Sequence, residues 1–476
     1  MKVLYCASEA LPFLATGGLA DVAGSLPKAL VSKKVSCRVV LPLYDSISQE
    51  MKDKMKFVTS ISVPVAWRRQ YCGVYEARVG DVIYYLIDNQ YYFKRTGGIY
   101  GHFDDAERFA FFSRAILEML PYVDFKPDVI HANDWQTALV SVYYRLFYAN
   151  SEWYSGIKTL FTIHNIQYQG QYGMDLIEDV LGIPYHDKDL IEFDNSVNLM
   201  KGAIECSNWV STVSPSYAKE ILDPWFSHKL DSILKERAWK LSGILNGIDV
   251  ESYNPETDKV IHSPFTTESL QKKADNKREL QKELGLQQND KVPLIGMVTR
   301  LVSHKGLDLV KEGIDNIMQY SNAQVAILGS GDKEYEEHFC WMQEKYPERF
   351  VIYVGFVPTL SRKIYAGSDL FLMPSKSEPC GLSQMIALRY GSIPVVRKTG
   401  GLNDSISDVG DGKGNGYTFT SYSTGDMVNT LHRALHDYNS QPEKWKEYVA
   451  HAMQCDNSWK KSADEYISLY QSLLKR

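Results

Sequence analysis

No CxxC pair occurs among the seven cysteines, Cys6, Cys37, Cys72, Cys206, Cys340, Cys380 and Cys455, and their number is odd. A disulfide framework or a structural zinc site needs paired thiols, so neither is expected, and the usage suits a reducing cytosol. Long hydrophobic runs are also missing, and Glu9 and Pro12 break the only stretch near the N-terminus that resembles a signal peptide. We expect a cytoplasmic protein without a membrane partner. Positive charge is not in excess: 52 Lys and Arg stand against 58 Asp and Glu, a net charge of −6. That balance gives no support for a nucleic-acid partner. Neither GxGxxG after the first strand nor GxxxxGK[ST] is present, which sets dehydrogenase and kinase-like readings aside. His131 and Asp134 are three apart but have no third ligand nearby in sequence, so neither a metal nor a cofactor is expected.

What is there is ordinary globular chemistry at some length. The 476 residues, 44% hydrophobic and 23% charged, predict two or three domains with sizeable cores. Val3 to Ala7 predicts a buried strand, Leu19 to Leu30 a helix and Val35 to Leu41 a second strand. Between 57 and 88 the period changes to two, in SISVPVAW, CGVYEARVG and DVIYYLID, which predicts hairpin strands inserted into an α/β pattern. Asp105 to Met119 has helical periodicity. The runs 128–135, 159–165 and 209–216 are each apolar first and polar at the carboxyl end. Residues 241–258 are rich in Gly, Asn and Pro without a period, and read as an interdomain linker. The alternation then restarts with a helix from Lys272 to Leu284, strands at 293–298, 323–328 and 350–354, and a final helix from Trp459 to Leu474. The expectation is an α/β protein of two Rossmann-like domains facing a cleft, 1–245 and 246–458.

The densest chemistry lies between Pro374 and Leu402. An apolar run ends at Pro374, and a small polar turn, Ser375 to Gly381, carries Glu378. After a helical pattern, a short strand leads into Lys398-Thr399-Gly400-Gly401-Leu402. Loops at the carboxyl ends of parallel strands are where open α/β sheets bind ligands. Thr16-Gly17-Gly18-Leu19 repeats the motif, with Asp21 five residues after Thr16 as Asp404 is after Thr399. Paired glycines leave backbone amides free to approach an anion, and a following helix adds its positive end. The plainer alternative is a tight strand-to-helix turn. Arg300 and Lys305, in MVTRLVSHKG, have the composition of a phosphate clamp, although singly each would be a solvated cation. Together with Glu378 and Thr399-Gly400-Gly401 they favour a nucleotide-diphosphate site. Asp134, His164 and Asn165, with His131, fall at strand ends in the first half, where such groups hydrogen-bond sugar hydroxyls or orient a leaving group. A satisfied structural histidine or a helix-capping aspartate is the rival reading for each.

These stretches carry a resemblance. ATGGLADVAGSLPKAL, HANDWQTALV, FTIHNIQYQG, NLMKGAI, STVSPSYAKEI, GILNGID, TRLVSHKGLDL, LGSGDKEY, SKSEPCGLSQ and RKTGGLND occur in the order found in bacterial glycogen (starch) synthases of the ADP-glucose type, over essentially the whole chain. The resemblance implies the GT-B glycosyltransferase fold, with the helix 459–476 packing back on the first domain. It implies retaining transfer of glucose from ADP-glucose, with UDP-glucose as the open alternative, to the non-reducing 4-OH of an α-1,4-glucan such as glycogen. By the same resemblance Arg300 and Lys305 neutralise the leaving diphosphate, helped by the amides of Gly17-Gly18 and Gly400-Gly401. His164 and Asn165 hold the glucosyl group, Asp134 orients sugar or acceptor, Asn246 contacts the glucose, and Glu378 holds its hydroxyls. Asp21, Ser375, Cys380, Gly381 and Thr399 join them as substrate contacts. No side chain is an obvious nucleophile, so front-face attack assisted by the departing phosphate is the expected course.

One position departs from the family pattern. Its N-terminal motif is Lys-Thr-Gly-Gly-Leu, and here the first residue is Ala15. The missing ammonium puts donor affinity and the ADP-versus-UDP preference in question. The rival reading that follows is a catalytically weakened glucan or nucleotide-sugar binding protein on the same scaffold. A glucan phosphorylase, which would need a pyridoxal-phosphate lysine, is a further alternative.

Overall fold

A computed structural model describes residues 1–475, so the last residue of the predicted helix 459–476 lies outside the described residues. The chain divides into two compact units, one of residues 1–247 together with the segment from Trp459 onward, the other of 248–458.

The first unit is built on a nine-stranded sheet. Its order is Leu241–Gly243, Trp209–Thr212, Lys158–Ile163, Val129–Asn133, Lys2–Cys6, Ser36–Pro42, Val82–Asp88, Arg68–Val79 and Lys56–Val65. All neighbours are parallel except the last two pairs, which are the antiparallel hairpins predicted by the period-two stretch. Lys2–Cys6 sits in the middle of the sheet, and Val3, Leu4, Tyr5 and Cys6 are fully buried. That burial on both faces explains its unbroken apolar run. From this strand the chain builds outward to Ser36–Pro42 and Val82–Asp88, then returns to the other side at Val129–Asn133. The strand order therefore reverses between Lys2–Cys6 and Val129–Asn133, which is where ligands bind in doubly wound sheets.

The supposed linker begins differently from the expectation. Leu241–Gly243 is an edge strand of this sheet, parallel to Trp209–Thr212. Three residues are too few to show a period, and a Cβ on Gly243 would lie 2.1 Å from the Ser214 carbonyl oxygen. The helix Trp459–Leu474 belongs to this unit too. Tyr466, Tyr470 and Leu473 are buried, and the Lys33 ammonium meets Asp464 at 2.7 Å.

The second unit has six strands, all parallel, in the order Phe350–Val354, Gln324–Gly329, Leu294–Val298, Leu370–Met373, Ile393–Arg397 and Tyr417–Phe419. The reversal falls between Leu294–Val298 and Leu370–Met373. The loops that follow those two strands contain Arg300, Lys305 and Glu378. The helix Gln271–Glu283 is less of a surface element than its Lys and Glu content predicts. Lys273 and Lys277 are buried, the first on the carbonyls of Ala366 and Tyr390, the second on Asp369 at 2.6 Å. No helix among the described residues is long and apolar enough to cross a membrane.

Candidate functional site

In the second unit the two loops at the strand reversal are joined. The Lys376 amide donates to the His304 carbonyl at 2.9 Å, and across the loops lies a close ion pair. The Lys305 ammonium stands 2.9 and 2.7 Å from the two oxygens of the Glu378 carboxylate, which also accepts from the Ser375 hydroxyl at 3.0 Å. Glu378 is only 5% exposed, so its charge has few other partners and this pairing matters for its burial. Arg300 is different. It is exposed, and its guanidinium has no hydrogen-bonded or ion-paired partner among the described residues.

Thr399-Gly400-Gly401 folds against the same turn, and here one expectation needs correcting. The Gly401 amide is not open to a ligand: it donates to the carbonyls of Glu378 at 3.1 Å and Pro379 at 3.2 Å. A Cβ on Gly400 would lie 2.0 Å from the Glu378 carbonyl oxygen, and one on Gly401 would lie 2.1 Å from that of Cys380. The paired glycines thus let two backbones touch, which local sequence cannot distinguish from an anion cradle. Cys380 is buried, Gly381 has φ +70, and the buried Gln384 amide binds the carbonyls of both, at 3.1 and 2.9 Å. Gln384 was missed in the sequence. Its signal was a polar residue inside the apolar helical pattern from Leu382 to Leu388.

In the first unit, Asp134 follows the strand Val129–Asn133 with φ 55 and ψ 178, a backbone region that is close to glycine-only. Its Oδ1 accepts from the His164 amide at 2.8 Å and the Asn165 amide at 3.4 Å. Burial pushes the Asp134 carboxyl up to about 7 against the pull of those two amides, and the nearby Glu9 adds to the rise. Burial also takes His164 down to about 3, so its imidazole is neutral near physiological pH. The Asn133 amide nitrogen donates to the carbonyls of Cys6 and His131, which orients its oxygen toward His164 Nε2 at 2.9 Å. That oxygen can only accept, so Nε2 carries the proton and Nδ1 keeps its lone pair. Asn133 too was missed, although it stands one residue before Asp134.

His131 is not part of this group. It is fully buried between the Tyr470 hydroxyl at 2.8 Å and the Thr162 hydroxyl at 2.6 Å, a structural histidine. The first glycine loop also differs from expectation. The Thr16 amide and hydroxyl both donate to Glu9 Oε2 at 2.6 Å, and the Gly17 amide serves the same carboxylate. The Gly17 amide therefore already faces an anion, one supplied by the loop itself. Gly18 stands exposed with open space around it, and Asp21 lies in the first turn of the helix Gly18–Ser32. Asn246 is 5% exposed, and its buried Oδ1 has no hydrogen-bond partner.

Two units on doubly wound, mainly parallel sheets, each with polar groups at its strand reversal, are the architecture of the GT-B class of glycosyltransferases. Known proteins agree with that class. A family model described as the starch synthase catalytic domain matches residues 2–236, and one described as glycosyl transferases group 1 matches 276–452. Glycogen synthases of Bacillus cereus and Clostridium botulinum are 48% and 47% identical to the chain, each covering 100% of both sequences. The solved catalytic domain of starch synthase IV from Arabidopsis thaliana, bound to ADP and acarbose, superposes with a TM-score of 0.92. It is 36% identical, over 100% of this chain and 99% of that one. Sucrose-phosphate synthase from Thermosynechococcus elongatus shares the fold, with a TM-score of 0.63 at 16% identity. The chain belongs to the family of bacterial glycogen synthases and starch synthases, and it is a glycosyltransferase.

Proposed function

We propose that the protein elongates glycogen in the cytoplasm, moving glucose from ADP-glucose to the non-reducing 4-OH of an α-1,4-glucan with retention of configuration. The observation that carries the reading is the ion pair of Lys305 with the buried Glu378, on a loop that also carries the exposed Arg300, whose guanidinium has no ion-paired partner among the described residues. A guanidinium and an ammonium on one loop at the strand reversal suit a diphosphate, and a buried carboxylate paired with that ammonium suits sugar hydroxyls.

The roles follow from charge. As the bond between glucose and phosphate lengthens, negative charge grows on the leaving diphosphate and positive charge on the sugar carbon. Arg300 and Lys305 stabilise the first. Glu378, oriented by Ser375, holds glucose hydroxyls and favours the second. The amides of Gly17 and Gly401 are engaged within the protein, so the donor phosphates depend chiefly on the two cations, with Gly18 in support and Thr399 and Gly400 shaping the loop beside the Glu378 turn. Cys380 and Gly381 shape the turn that holds Glu378. His164 Nδ1 accepts a hydroxyl hydrogen of the glucosyl group, Asn165 lies beside it, and Asp134 fixes both amides. Asn246 supplies a carbonyl oxygen that needs a donor, which a sugar hydroxyl provides. Asp21 reaches the substrate from the first helical turn. With no obvious nucleophile among the motif residues, the acceptor attacks from the face that the phosphate leaves, and the departing phosphate takes its proton.

Initial rates with glycogen as acceptor test the reading. Faster transfer from ADP-glucose than from UDP-glucose is expected. Absence of transfer from either donor, with binding intact, would return the chain to the status of a binding protein.

A further inference from the structure

The segment from Arg95 to Asp104, RTGGIYGHFD, has no part in the chemistry above, yet it is braced throughout. The Arg95 guanidinium grips both oxygens of Asp104 at 2.6 and 2.7 Å and closes the base of the loop. His102 Nε2 meets the Gly98 carbonyl at 2.8 Å, and the buried Arg108 donates to the Ile99 carbonyl at 3.2 Å. Gly101, with φ +86, lets the chain turn between Tyr100 and Phe103, and its amide donates to Asp105 at 2.8 Å. Tyr100 points inward and Phe103 outward. Phe103 is 94% exposed, more than any other large hydrophobic side chain among the described residues. Exposure alone would mean little, since single apolar side chains are common on surfaces. Bracing and place are what single it out.

The loop borders the sugar-handling groups of the first unit. The Tyr100 hydroxyl lies 2.7 Å from that of Ser8, the neighbour of Glu9. The Tyr100 ring packs on Phe109, with 6.1 Å between centroids, and Phe109 packs on Trp135 at 5.1 Å, the residue after Asp134. Three residues span at most about 11 Å, so Phe103 stands within that distance of Tyr100 along the chain. The Arg95–Asp104 pair is internally neutral, which suits an uncharged polymer better than a charged peptide.

We propose that Phe103 is a stacking platform for a glucose ring of the acceptor glucan, a few rings back from its reacting end, and so favours long chains over short saccharides. The apolar faces of pyranose rings pack on aromatic rings, and a braced loop presents Phe103 without an ordering cost on binding. The inference rests on the proposed use of a glucan acceptor.

The test compares Phe103→Ala and Phe103→Trp with the unaltered chain. Maltooligosaccharides from maltose to maltoheptaose and glycogen serve as acceptors, and maltoheptaose binding is measured by calorimetry without donor. In Phe103→Ala the Michaelis constant and the dissociation constant for maltoheptaose rise roughly three- to tenfold. Those for maltose and ADP-glucose do not move, and Phe103→Trp restores long-chain affinity. Thermal unfolding is unchanged, because the side chain is almost wholly exposed. Unaltered long-chain affinity in Phe103→Ala overturns the platform while leaving glucan synthesis intact. A change in sedimentation of Phe103→Ala without a change in glucan binding also overturns it and assigns the side chain to self-association. An unaltered chain that transfers glucose to no glucan overturns both readings together.

Discussion

At the scale of single residues, the molecule holds charge where charge is costly. Glu378 is buried against Lys305, so the two halves of that pair should fail differently. Glu378→Gln keeps shape and removes charge; turnover should fall roughly 10²–10³-fold with little loss of melting temperature. Lys305→Ala should lower both, because it leaves a buried carboxylate without its ammonium. Equal melting temperatures for the two variants would show that the pair has no structural part. Asp134 makes a pH prediction. Its carboxyl titrates at about 7 in the folded chain and near 3.9 unfolded, so the folded state keeps a proton that the unfolded state has released. Stability supplied by that proton is complete below about pH 4 and is lost as pH rises through 7, with a slope of up to about 1.4 kcal/mol per unit. Asp134→Asn should flatten that slope in denaturant titrations across pH 4–8. Ala15 gives a gain-of-function test. It is exposed, so a lysine there has room to reach solvent-side ligands. A charge-assisted contact is worth roughly 1.5–3 kcal/mol, so Ala15→Lys should lower the donor Michaelis constant roughly ten- to hundredfold and leave the glucan constant alone. An unchanged donor constant would mean that the cations of the second unit already suffice.

At the scale of elements, the two Thr-Gly-Gly loops look alike in sequence and are used differently. The second is a close contact: Gly400 and Gly401 bring the helix Gly400–Ser405 onto the backbone of the Glu378 turn. Gly401→Ala should push the two loops apart, lowering melting temperature and turnover together. In the first loop Gly18 has open space around it, and Gly18→Ala should melt as the unaltered chain does. Thermal scans of the two variants side by side check the contrast, and equal losses would refute it.

For the whole molecule, the C-terminal helix matters most. After 211 residues in the second unit, the chain returns to the first at Trp459. There Tyr470 caps His131, and the Ser462 hydroxyl bonds the Leu245 carbonyl. Truncation after Ser458 removes the buried Trp459, Tyr466, Tyr470 and Leu473, a loss of several kcal/mol by area. Hydrogen exchange should then quicken in Lys2–Cys6 and Val129–Asn133 but not in Leu294–Val298. Uniform acceleration in both units would show that the helix does not belong to the first unit alone.

Local pattern was enough to show that the chain is α/β, where the period-two insertion lies, and that polar loops follow apolar runs at Pro374, Asp134 and His164. These features repeat over a few residues, and the backbone reads them wherever they occur. The sequence motifs also marked Glu378, Lys305 and Arg300 as candidates. Partnership lay beyond such reading. Lys305 and Glu378 are 73 residues apart and His131 and Tyr470 are 339 apart, so only the strand order brings them together. The same holds for Glu9, which in sequence merely interrupts an apolar stretch and in the fold takes the amides of Thr16 and Gly17. Three-residue strands such as Leu241–Gly243 have no period at all, and exist because a neighbouring strand offers hydrogen bonds. Composition and periodicity are properties of a segment, whereas burial, pairing and pKa belong to what packs around it; tertiary structure alone decided which glycine amides are engaged within the protein and which histidine is structural.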